Sequence, residues 1–536
     1  MAALFLSLAD LVLGADLLLR LPALVRHPLT IEASRRAVRD RLDGRRADFL
    51  SLMHAAVYAR PSSPYRHLLA MAGCEYGDLE RLVRADGVEG ALHTIQRAGV
   101  YLTVDELKGH TDIRRGSAIL PIEPADLCNP LATWELAARS GGSRGPASVV
   151  PLGIDFVRDR AADTSLVLDA RGGRHWVHAI WGVPGGAAVV RLLEFTAFGA
   201  PPVHWFSQVD PGAPGLHARY RWSSRLIRWA SRLAGVPLPS PRHVPISDPR
   251  PIVDWMSGVL AAGRTPHLHT FASSAVRVCR AARAAGVDLR GARFTMASEP
   301  ITSARLAAVR AAGAEAAPCY ASMECGPIGY GCLAPRSADD LHLLDDLHAV
   351  IAVEGAAGAA PVPVGGLLIS SLRPTAPMLL LNVSLGDRAV LDGAACGCLL
   401  ERIGWTRHLH TIRSFRRVTV GGMTFSDAGL IRVLEDVLPA RFGGGPTDYQ
   451  LLEDDTTEGE PRLSLLVHPA IGPVDEQAVA DTFLAAIGGG SGAEHVMELQ
   501  WRQTDWLRVE RRVPLETSSG KILHLDRPGA RKGRDD

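Results

Sequence analysis

The stretch from Phe294 to Gly331 constrains the fold more than any other part of the chain. Its sequence predicts a strand, a turn, a helix from about Thr302 to Ala312, a second strand and a polar turn, in the order FTMASEPITSARLAAVRAAGAEAAPCYASMECGPIGYG. Pro300 suits the first turn of a helix, where its missing N–H costs nothing. Because a helix of this length can cross back over a parallel sheet, we expect a βαβ unit in an α/β domain.

Both turns of this unit are expected at one edge of the sheet, beyond the carboxyl ends of the strands, where ligands bind in such folds. There the second turn offers the ring of Tyr320, the hydroxyl of Ser322 and the carboxylate of Glu324. These groups suit a purine base, a phosphate and a hydrated cation. A plain βαβ crossover with a solvated glutamate is the alternative that this stretch alone leaves open.

The two turns resemble the GEPL-type turn and the YG-[ST]-TE-type motif of the adenylate-forming superfamily, in its phenylacetate–CoA ligase-like branch. The resemblance implies ATP and Mg²⁺ as cofactors. It also implies that Glu324 holds magnesium and that Ser322 lies near the phosphates. The residues that would flank the adenine are Ser298, Glu299, Pro300 and Tyr320.

Length and charge limit the class of protein. A chain of 536 residues is too long for one compact core and predicts two to four units. Its 58 basic and 57 acidic residues give no electrostatic footprint for nucleic acid. The 8 cysteines, without a secretory signal, argue against a disulfide framework and favour a cytoplasmic protein.

The apolar N-terminus is too short for a transmembrane segment, because Asp10, Asp16 and Arg20 interrupt it before about 20 apolar residues are reached. We expect a helix packed on the main domain, with weak attachment to a membrane surface left open. Residues 30–109 have a helical pattern, and their SSPYRHLLAMAG segment resembles the N-terminal helices of phenylacetate–CoA ligase relatives.

A glycine- and hydroxyl-rich segment precedes the adenine turns. Loops of this kind can direct backbone N–H groups toward one anion and wrap a triphosphate. The segment resembles the superfamily's SSGTTGKP phosphate loop, with Pro146 where the lysine is expected and Arg144 as a substitute cation. The nucleotide-binding residues implied here are Ser140, Gly141, Gly142, Ser143 and Arg144.

Alternating strand-like and helix-like pieces between residues 166 and 291 favour α/β layers. Within them, the resemblance implies an acyl pocket bordered by His204, Trp205 and Phe206, which suits a small aryl or apolar acid; core packing of these three residues is equally compatible. His267 and His269 alternate along a predicted strand and therefore share a face.

Asp387 follows an apolar strand in the sequence LNVSLGDRAVL. An aspartate at a strand end can accept hydrogen bonds from both ribose hydroxyls, and the segment resembles the superfamily's TGD element. Asp387 is therefore the expected ribose ligand, and an ordinary turn aspartate is the alternative.

Thiolates and an imidazole in a set of four suit a closed, structural zinc site. The resemblance to phenylacetate–CoA ligase-like proteins, which have a Cys and a His after the magnesium ligand and a CPCG segment after the ribose ligand, implies the set Cys332, His342, Cys396 and Cys398. Buried reduced thiols are the alternative.

The pattern changes after residue 404. The segment 401–408 falls where relatives have the interdomain hinge GRxDD, with Trp405 and Arg407 in place of the usual Arg and Asp. We therefore expect a large N-terminal domain over 1–404 and a small, mobile α+β domain over 405–536. Near its end, TSSGKI resembles the superfamily's TpsGKi ending, which implies Lys521 as the catalytic cation.

Together these elements predict ATP-dependent adenylation of a carboxylic acid, followed by transfer to the thiol of coenzyme A or of a carrier-protein pantetheine. The first alternative keeps adenylation but has a nitrogen acceptor or activates nitrite, as in amide synthetases and ATP-dependent diazotases. A non-catalytic scaffold is the second. The expected partners are a small acid and an acyl carrier protein; a homodimer is left open.

Overall fold

The computed structural model describes residues 19–139, 149–183, 185–210, 228–229, 231–233, 235–355, 361–393, 395–415, 418–420, 423–425, 427–455, 461–488, 507–517 and 520–526. The helices within these ranges are 19–26, Ile31–Met53, Pro64–Met71, Tyr76–Arg97, Val104–Leu107, Ile154–Ala170, Gly186–Ala197, Arg250–Ala261, Ala272–Ala284, Ser303–Arg310, Leu399–Ile403, Asp427–Arg432, Leu438–Phe442 and Glu476–Gly488. π-helical turns follow two of these helices at His54–Tyr58 and Val433–Val437.

The strands are β1 Ile113–Arg115, β2 Ala118–Leu120, β3 Leu136–Arg139, β4 Val149–Leu152, β5 Val177–Gly182, β6 His204–Ser207, β7 Pro241–His243, β8 Pro266–Phe271, β9 Arg293–Ala297, β10 Glu315–Ser322, β11 Gly326–Tyr330, β12 Leu341–Leu343, β13 His348–Ala352, β14 Leu367–Ser371, β15 Asp387–Asp392, β16 His408–Ser414, β17 Val418–Val420, β18 Met423–Phe425, β19 Tyr449–Asp455, β20 Pro461–Val467, β21 Leu507–Arg511 and β22 Leu525–Asp526.

Among the described residues, a 10-stranded sheet forms the centre of the large domain in the order β15-β16-β12-β11-β10-β9-β8-β5-β6-β7. From β10 to β7 the neighbouring strands are parallel, and from β15 to β10 they are antiparallel. The parallel part needs helical crossovers, which bury its strands on both faces. The architecture confirms the α/β class expected from the sequence.

The βαβ unit that the sequence predicted is present. β9 and β10 pair in parallel, from Glu315 opposite Arg293 to Cys319 opposite Ala297. The connecting helix begins after Thr302, whose hydroxyl accepts a hydrogen bond from the Arg305 N–H at 3.2 Å. Pro300 therefore precedes the N-cap rather than lying in the first helical turn. The crossover brings the ends of β9 and β10 to one edge of the sheet.

The N-terminal helices pack on the large domain. Leu21, Leu24 and Val25 of helix 19–26 are buried in the same core as the helices over 31–97. Arg20 forms ion pairs with Glu135 and Asp155, at 2.7 Å for the latter. No helix among the described residues is long and apolar enough to cross a membrane.

The small domain has its own sheet, in the order β21-β20-β19-β22, and its own apolar core. Its predicted start at 405 needs correction, because β16 lies in the large sheet, where His408 pairs with His342 of β12 and with Asp392 of β15. Trp405 is fully buried and donates its indole N–H to Asp346 at 2.8 Å. These contacts hold the hinge-like segment inside the large domain. The chain leaves the large sheet after Ser414, where β16 ends.

A buried polar cluster connects the two domains. The Arg305 guanidinium of the large domain donates to Glu435 of the small domain at 2.8 Å. Thr302 also donates to this carboxylate, and His524 Nε2 lies 2.7 Å from it. Arg305 and Glu435 are almost completely buried. Ionic attraction and desolvation are both strong at such a site, so the cluster is sensitive to the loss of either partner.

We expect Glu435→Gln to weaken the docking of the small domain, because buried Arg305 would lose its carboxylate partner at 2.8 Å and keep only that of Glu299, at 3.4 Å. The expected loss is about 3–5 kcal/mol of the free energy that favours the docked state. Limited proteolysis and small-angle X-ray scattering would report it as faster cleavage and a larger radius of gyration. Asp436→Asn is the matched control, since the neighbouring side chain is exposed; equal behaviour of the two variants would contradict the prediction.

Candidate active site

A cavity of about 400 Å³ lies at the carboxyl ends of the parallel strands, where the small domain meets the large one. Its walls come from strands β5, β8, β9 and β10, from the helices that follow β4 and β5, and from the Lys521 loop. The polar residues that line it are Lys108, His110, Arg160, Arg191, His269, Thr270, Ser298, Tyr320, Ser322, Glu324, Asp387 and Lys521. Six of them belong to the sites predicted from the sequence.

Tyr320 and Asp387 meet across one side of the cavity. Tyr320 belongs to β10, and its hydroxyl donates to Asp387 Oδ2, at the start of β15, at 2.8 Å. Burial raises the pKa of the tyrosine well above its usual value, and the Asp387 carboxylate adds to this effect. The pair therefore places a neutral aromatic ring next to a carboxylate. A ring can lie against a base, and a carboxylate can accept hydrogen bonds from ribose hydroxyls.

Glu324 lies in the turn between β10 and β11 and forms an ion pair with Lys108, which the sequence analysis did not identify. Lys108 ends the short helix Val104–Leu107, far away in sequence. A single lysine at a helix end carries no recognisable signal, so only the fold could reveal this contact. A carboxylate is a suitable Mg²⁺ ligand, and here its charge is balanced by an ammonium.

Lys521 reaches the cavity from the small domain. Its ammonium lies 5.2 Å from the centre of the Phe271 ring, at the end of β8. Burial lowers the pKa of Lys521 below its usual value, and the nearby Glu299 carboxylate opposes the shift. The preceding residue, Gly520, has a φ of +71° and lies against Gln208 and Ile246 of the large domain. Its missing side chain is what allows the lysine loop to approach so closely.

The Ser298-Glu299-Pro300 turn is divided between two environments. Ser298 lines the cavity and has a φ of +67°, an uncommon conformation for a residue with a side chain. Glu299 does not line the cavity: its carboxylate accepts hydrogen bonds from the Ser273 N–H at 2.6 Å and from the Ile522 N–H at 3.1 Å. Glu299 therefore holds the lysine loop, and its predicted place beside adenine stays a prediction, as does that of Pro300.

Of the residues predicted to lie near the phosphates, the structure describes Ser322 but not the glycine-rich loop. Ser322 lines the cavity and accepts a hydrogen bond from the Cys325 N–H at 3.3 Å, which fixes the turn that presents Glu324. The predicted phosphate loop lies outside the described residues, so its role stays a prediction. Its residues are Ser140, Gly141, Gly142, Ser143 and Arg144.

The structure does not bring His204, Trp205 and Phe206 to this cavity. Trp205 and Phe206 are buried on β6, and His204 stacks on Phe206 with a centroid distance of 5.1 Å. These contacts match the core packing that the sequence left as the alternative. Their predicted role in an acyl pocket gains no support from the lining of the cavity.

The cavity lining also includes residues outside the sites predicted from the sequence. Ile180, Trp181 and Val190 give it apolar walls, and Arg160, Arg191 and His269 supply polar groups. Burial lowers the pKa of His269 well below its usual value, and the charges of the two arginines add to this shift. The alternation along β8 placed His269 on a face with His267, but no sequence signal pointed to the arginines on the neighbouring helices.

Cys332, His342, Cys396 and Cys398 come together as expected from the sequence. Each offers one ligand atom, and the four atoms all lie within 4.8 Å of one another. His342 Nδ1 lies 2.7 Å from the Trp405 carbonyl oxygen, which as an acceptor fixes the proton on Nδ1. His342 Nε2 then faces the Cys396 and Cys398 sulfurs at 3.4 and 3.2 Å with its lone pair. Three thiols and an oriented imidazole fit the donor set of a structural zinc ion.

No protein-family model matches the sequence, and no curated protein is similar to it at a significant level. The crystal structure of 2-hydroxyisobutyryl-CoA ligase in the postadenylation state in complex with R3-HIB-AMP is similar over 92% of this chain and 91% of that chain, with a TM-score of 0.56 and 15% sequence identity. The same ligase in complex with 2-HIB-AMP is similar with the same coverage, identity and TM-score of 0.56.

At this identity the likeness concerns the fold, and the phenylacetate–CoA ligase-like branch stays a prediction. Both the large parallel sheet and the small domain are covered by the match. The chain therefore has the α/β fold of the adenylate-forming CoA ligases, with a large N-terminal and a small C-terminal domain, as its sequence predicted.

Proposed function

We propose that this protein is an enzyme that uses ATP to convert a carboxylic acid into an acyl-adenylate and then transfers the acyl group to a thiol. One observation carries the proposal: Tyr320, Asp387 and Glu324 of the large domain and Lys521 of the small domain line the same cavity. These residues occur in the sequence order of the superfamily's motifs. A scaffold protein would have no need to assemble them around one space.

The first step would join the acid to the α-phosphorus of ATP. A carboxylate oxygen of the acid attacks that phosphorus, the P–O bond to the β-phosphate breaks, and pyrophosphate leaves. Asp387 would accept hydrogen bonds from the ribose, and the ring of Tyr320 would lie beside the adenine. Lys521 would stabilise the negative charge that develops on the reacting phosphate, as positioned cations do in a site that excludes water.

Glu324 offers an oxygen ligand for magnesium, which when bound offsets the charge of the phosphates. The Lys108 ammonium forms an ion pair with this carboxylate. Beside a bound nucleotide, the same ammonium would supply a positive charge near the phosphates.

In the second step, the sulfur of coenzyme A or of a carrier-protein pantetheine would attack the acyl carbon. The C–O bond to AMP would break, AMP would leave, and the thiol proton would be released to solvent. The similarity to 2-hydroxyisobutyryl-CoA ligase supports a thiol acceptor rather than a nitrogen acceptor. Lys521 would have to leave the cavity to admit the thiol. The lysine loop and the small domain would therefore move together between the two steps.

Pyrophosphate exchange tests the first step. With a panel of carboxylic acids, we expect acid-dependent exchange of label between pyrophosphate and ATP, and an acyl-AMP detectable by mass spectrometry. Lys521→Met should lower the exchange rate by about 100- to 1,000-fold, because one electrostatic stabiliser of the transition state is lost. Arg508→Met, which removes an exposed cation of the same domain, is the control; full exchange in Lys521→Met would refute the assigned role.

Gly520 gives a second test that leaves the lysine in place. In Gly520→Ala the new Cβ would collide with the side-chain ends of Gln208 and Ile246, and the φ of +71° is unfavourable for alanine, so the docked loop or these side chains must shift. Overpacking costs about 1–3 kcal/mol. We therefore expect at least a tenfold loss of the exchange rate, with an unchanged melting temperature of the large domain. Gly472→Ala shares the positive φ of +90° but has nothing within 4 Å, so its exchange rate should be retained.

We also propose that the Cys332, His342, Cys396 and Cys398 cluster holds a structural zinc ion. A fully ligated ion has no open position for catalysis, so its effect would be on stability. It would connect β12 to the loop before helix Leu399–Ile403. Nothing in the adenylation chemistry depends on it.

Elemental analysis of the purified protein should find about one zinc ion per chain, as expected for a single four-ligand site. Cys398→Ser should lose the metal and unfold at a lower temperature. Cys128→Ser is the matched control, because that half-buried thiol lies outside the cluster. Metal-free wild-type protein, or equal metal loss in both variants, would rule out the site.

A further inference from the structure

A cluster of charged groups lines the cavity, and the proposed adenylation step makes no use of it. Arg160 belongs to helix Ile154–Ala170, Arg191 to helix Gly186–Ala197, and His269 to β8. All three side chains line the cavity. The cluster therefore belongs to the space in which an acid would lie.

The cluster has one more positive charge than negative charges. Arg160 Nη2 lies 2.9 Å from Glu194 Oε2, and Arg191 Nη1 lies 2.9 Å from Glu194 Oε1. Two guanidinium groups thus share one fully buried carboxylate. The other contacts are neutral: Thr164 donates to Glu194, and Arg191 Nη1 donates to the Tyr330 hydroxyl at 3.1 Å. His269 adds no charge, since its lowered pKa keeps it neutral.

The excess charge lies in a place where water cannot fully solvate it. Arg160 and Arg191 are each 8% exposed, and the Arg160 Nε–H has no hydrogen-bond partner among the described residues. A buried charge without a counter-charge is strongly unfavourable. Both guanidinium groups line the cavity, and a planar guanidinium is suited to bind a carboxylate in a bidentate manner.

Part of the cluster lies deeper along the sheet than Lys521. Lys521 lies over the ring of Phe271, at the end of β8. His269 is two residues earlier on the same face, which is about 7 Å deeper into the sheet at 3.3 Å per residue. Ile180 of β5 pairs with His269 in the sheet, and Ile180 and Val190 give the cavity apolar lining. A nucleotide at Tyr320 and Asp387 would leave this inner part to the acid.

We propose that the acid carries a second carboxylate at the end remote from its reacting group, and that Arg160 and Arg191 bind it. The apolar walls would hold the hydrocarbon or aromatic part between the two carboxylates. This inference rests on the proposed adenylation and narrows its substrate to dicarboxylic acids. The outer carboxylate would be adenylated beside Lys521, and the inner one would stay ionised against the arginines.

Matched pairs of acids test the substrate class: terephthalic acid with 4-methylbenzoic acid, and adipic acid with hexanoic acid. In pyrophosphate exchange with the wild-type protein, we expect a diacid to have a kcat/KM about 10- to 100-fold above that of its monoacid partner, as expected for a hydrogen-bonded charge. Arg160→Met should remove most of this preference, so that the ratio of the two kcat/KM values within each pair falls toward one. Arg250→Met, an exposed arginine outside the cavity, should keep the preference.

The melting temperature of Arg160→Met distinguishes a binding role of Arg160 from a merely structural one. It leaves Arg191 and Glu194 as a balanced pair, so the variant should melt at the same or a higher temperature than the wild type. A preference lost without loss of stability supports the proposal. Unchanged preference in Arg160→Met, or equal activity with both acids of each pair, would overturn it while leaving adenylation intact.

Binding measured without ATP separates this inference from the proposed function. Calorimetric titration of the wild-type protein with each diacid should show saturable binding that Arg160→Met weakens. If diacids bind in this way but no acid supports pyrophosphate exchange, the adenylation proposal fails and the carboxylate site stands. If no diacid binds and no acid of any kind supports pyrophosphate exchange, both proposals fail.

Discussion

The guanidinium of Arg305 is fully buried where the two domains meet, and its donors face groups from both of them. On the large domain it lies 3.3 Å from the Pro300 carbonyl and 3.4 Å from the Glu299 carboxylate, and on the small domain 2.8 Å from Glu435. A charge so far from water must be balanced by partners with fixed geometry. This buried contact holds the small domain against the large one. Because the Lys521 loop belongs to the small domain, the same contact keeps the loop at the cavity.

Charge is arranged in opposite ways at the two sides of the cavity. Near Tyr320, Lys108 and Glu324 form an ion pair with no net charge. At the inner side, the Arg160, Arg191 and Glu194 cluster keeps a fixed excess of one positive charge. Helices Ile154–Ala170 and Gly186–Ala197 of the large domain carry this cluster, so its geometry does not depend on the position of the small domain.

Sequence reasoning worked where a local pattern carries the chemistry. The strand, turn and helix signals around Thr302 predicted the βαβ unit. The motifs that resemble those of the superfamily identified Tyr320, Asp387 and Lys521, which line one cavity in the structure. It failed where contacts join elements that are distant in sequence, as with Lys108 and Arg160. The hinge-like segment at Trp405 was misplaced because its burial against Asp346 depends on tertiary packing, which a local pattern does not encode.

Glu299 links the Lys521 loop to the turn of Ser298. Its carboxylate accepts N–H groups from Ser273 of the large domain and from Ile522, the residue after Lys521, of the small domain. Any displacement of the small domain would take one of these donors from an acceptor that lies next to Ser298. The positions of Lys521 and of the Ser298 turn are therefore coupled through one carboxylate.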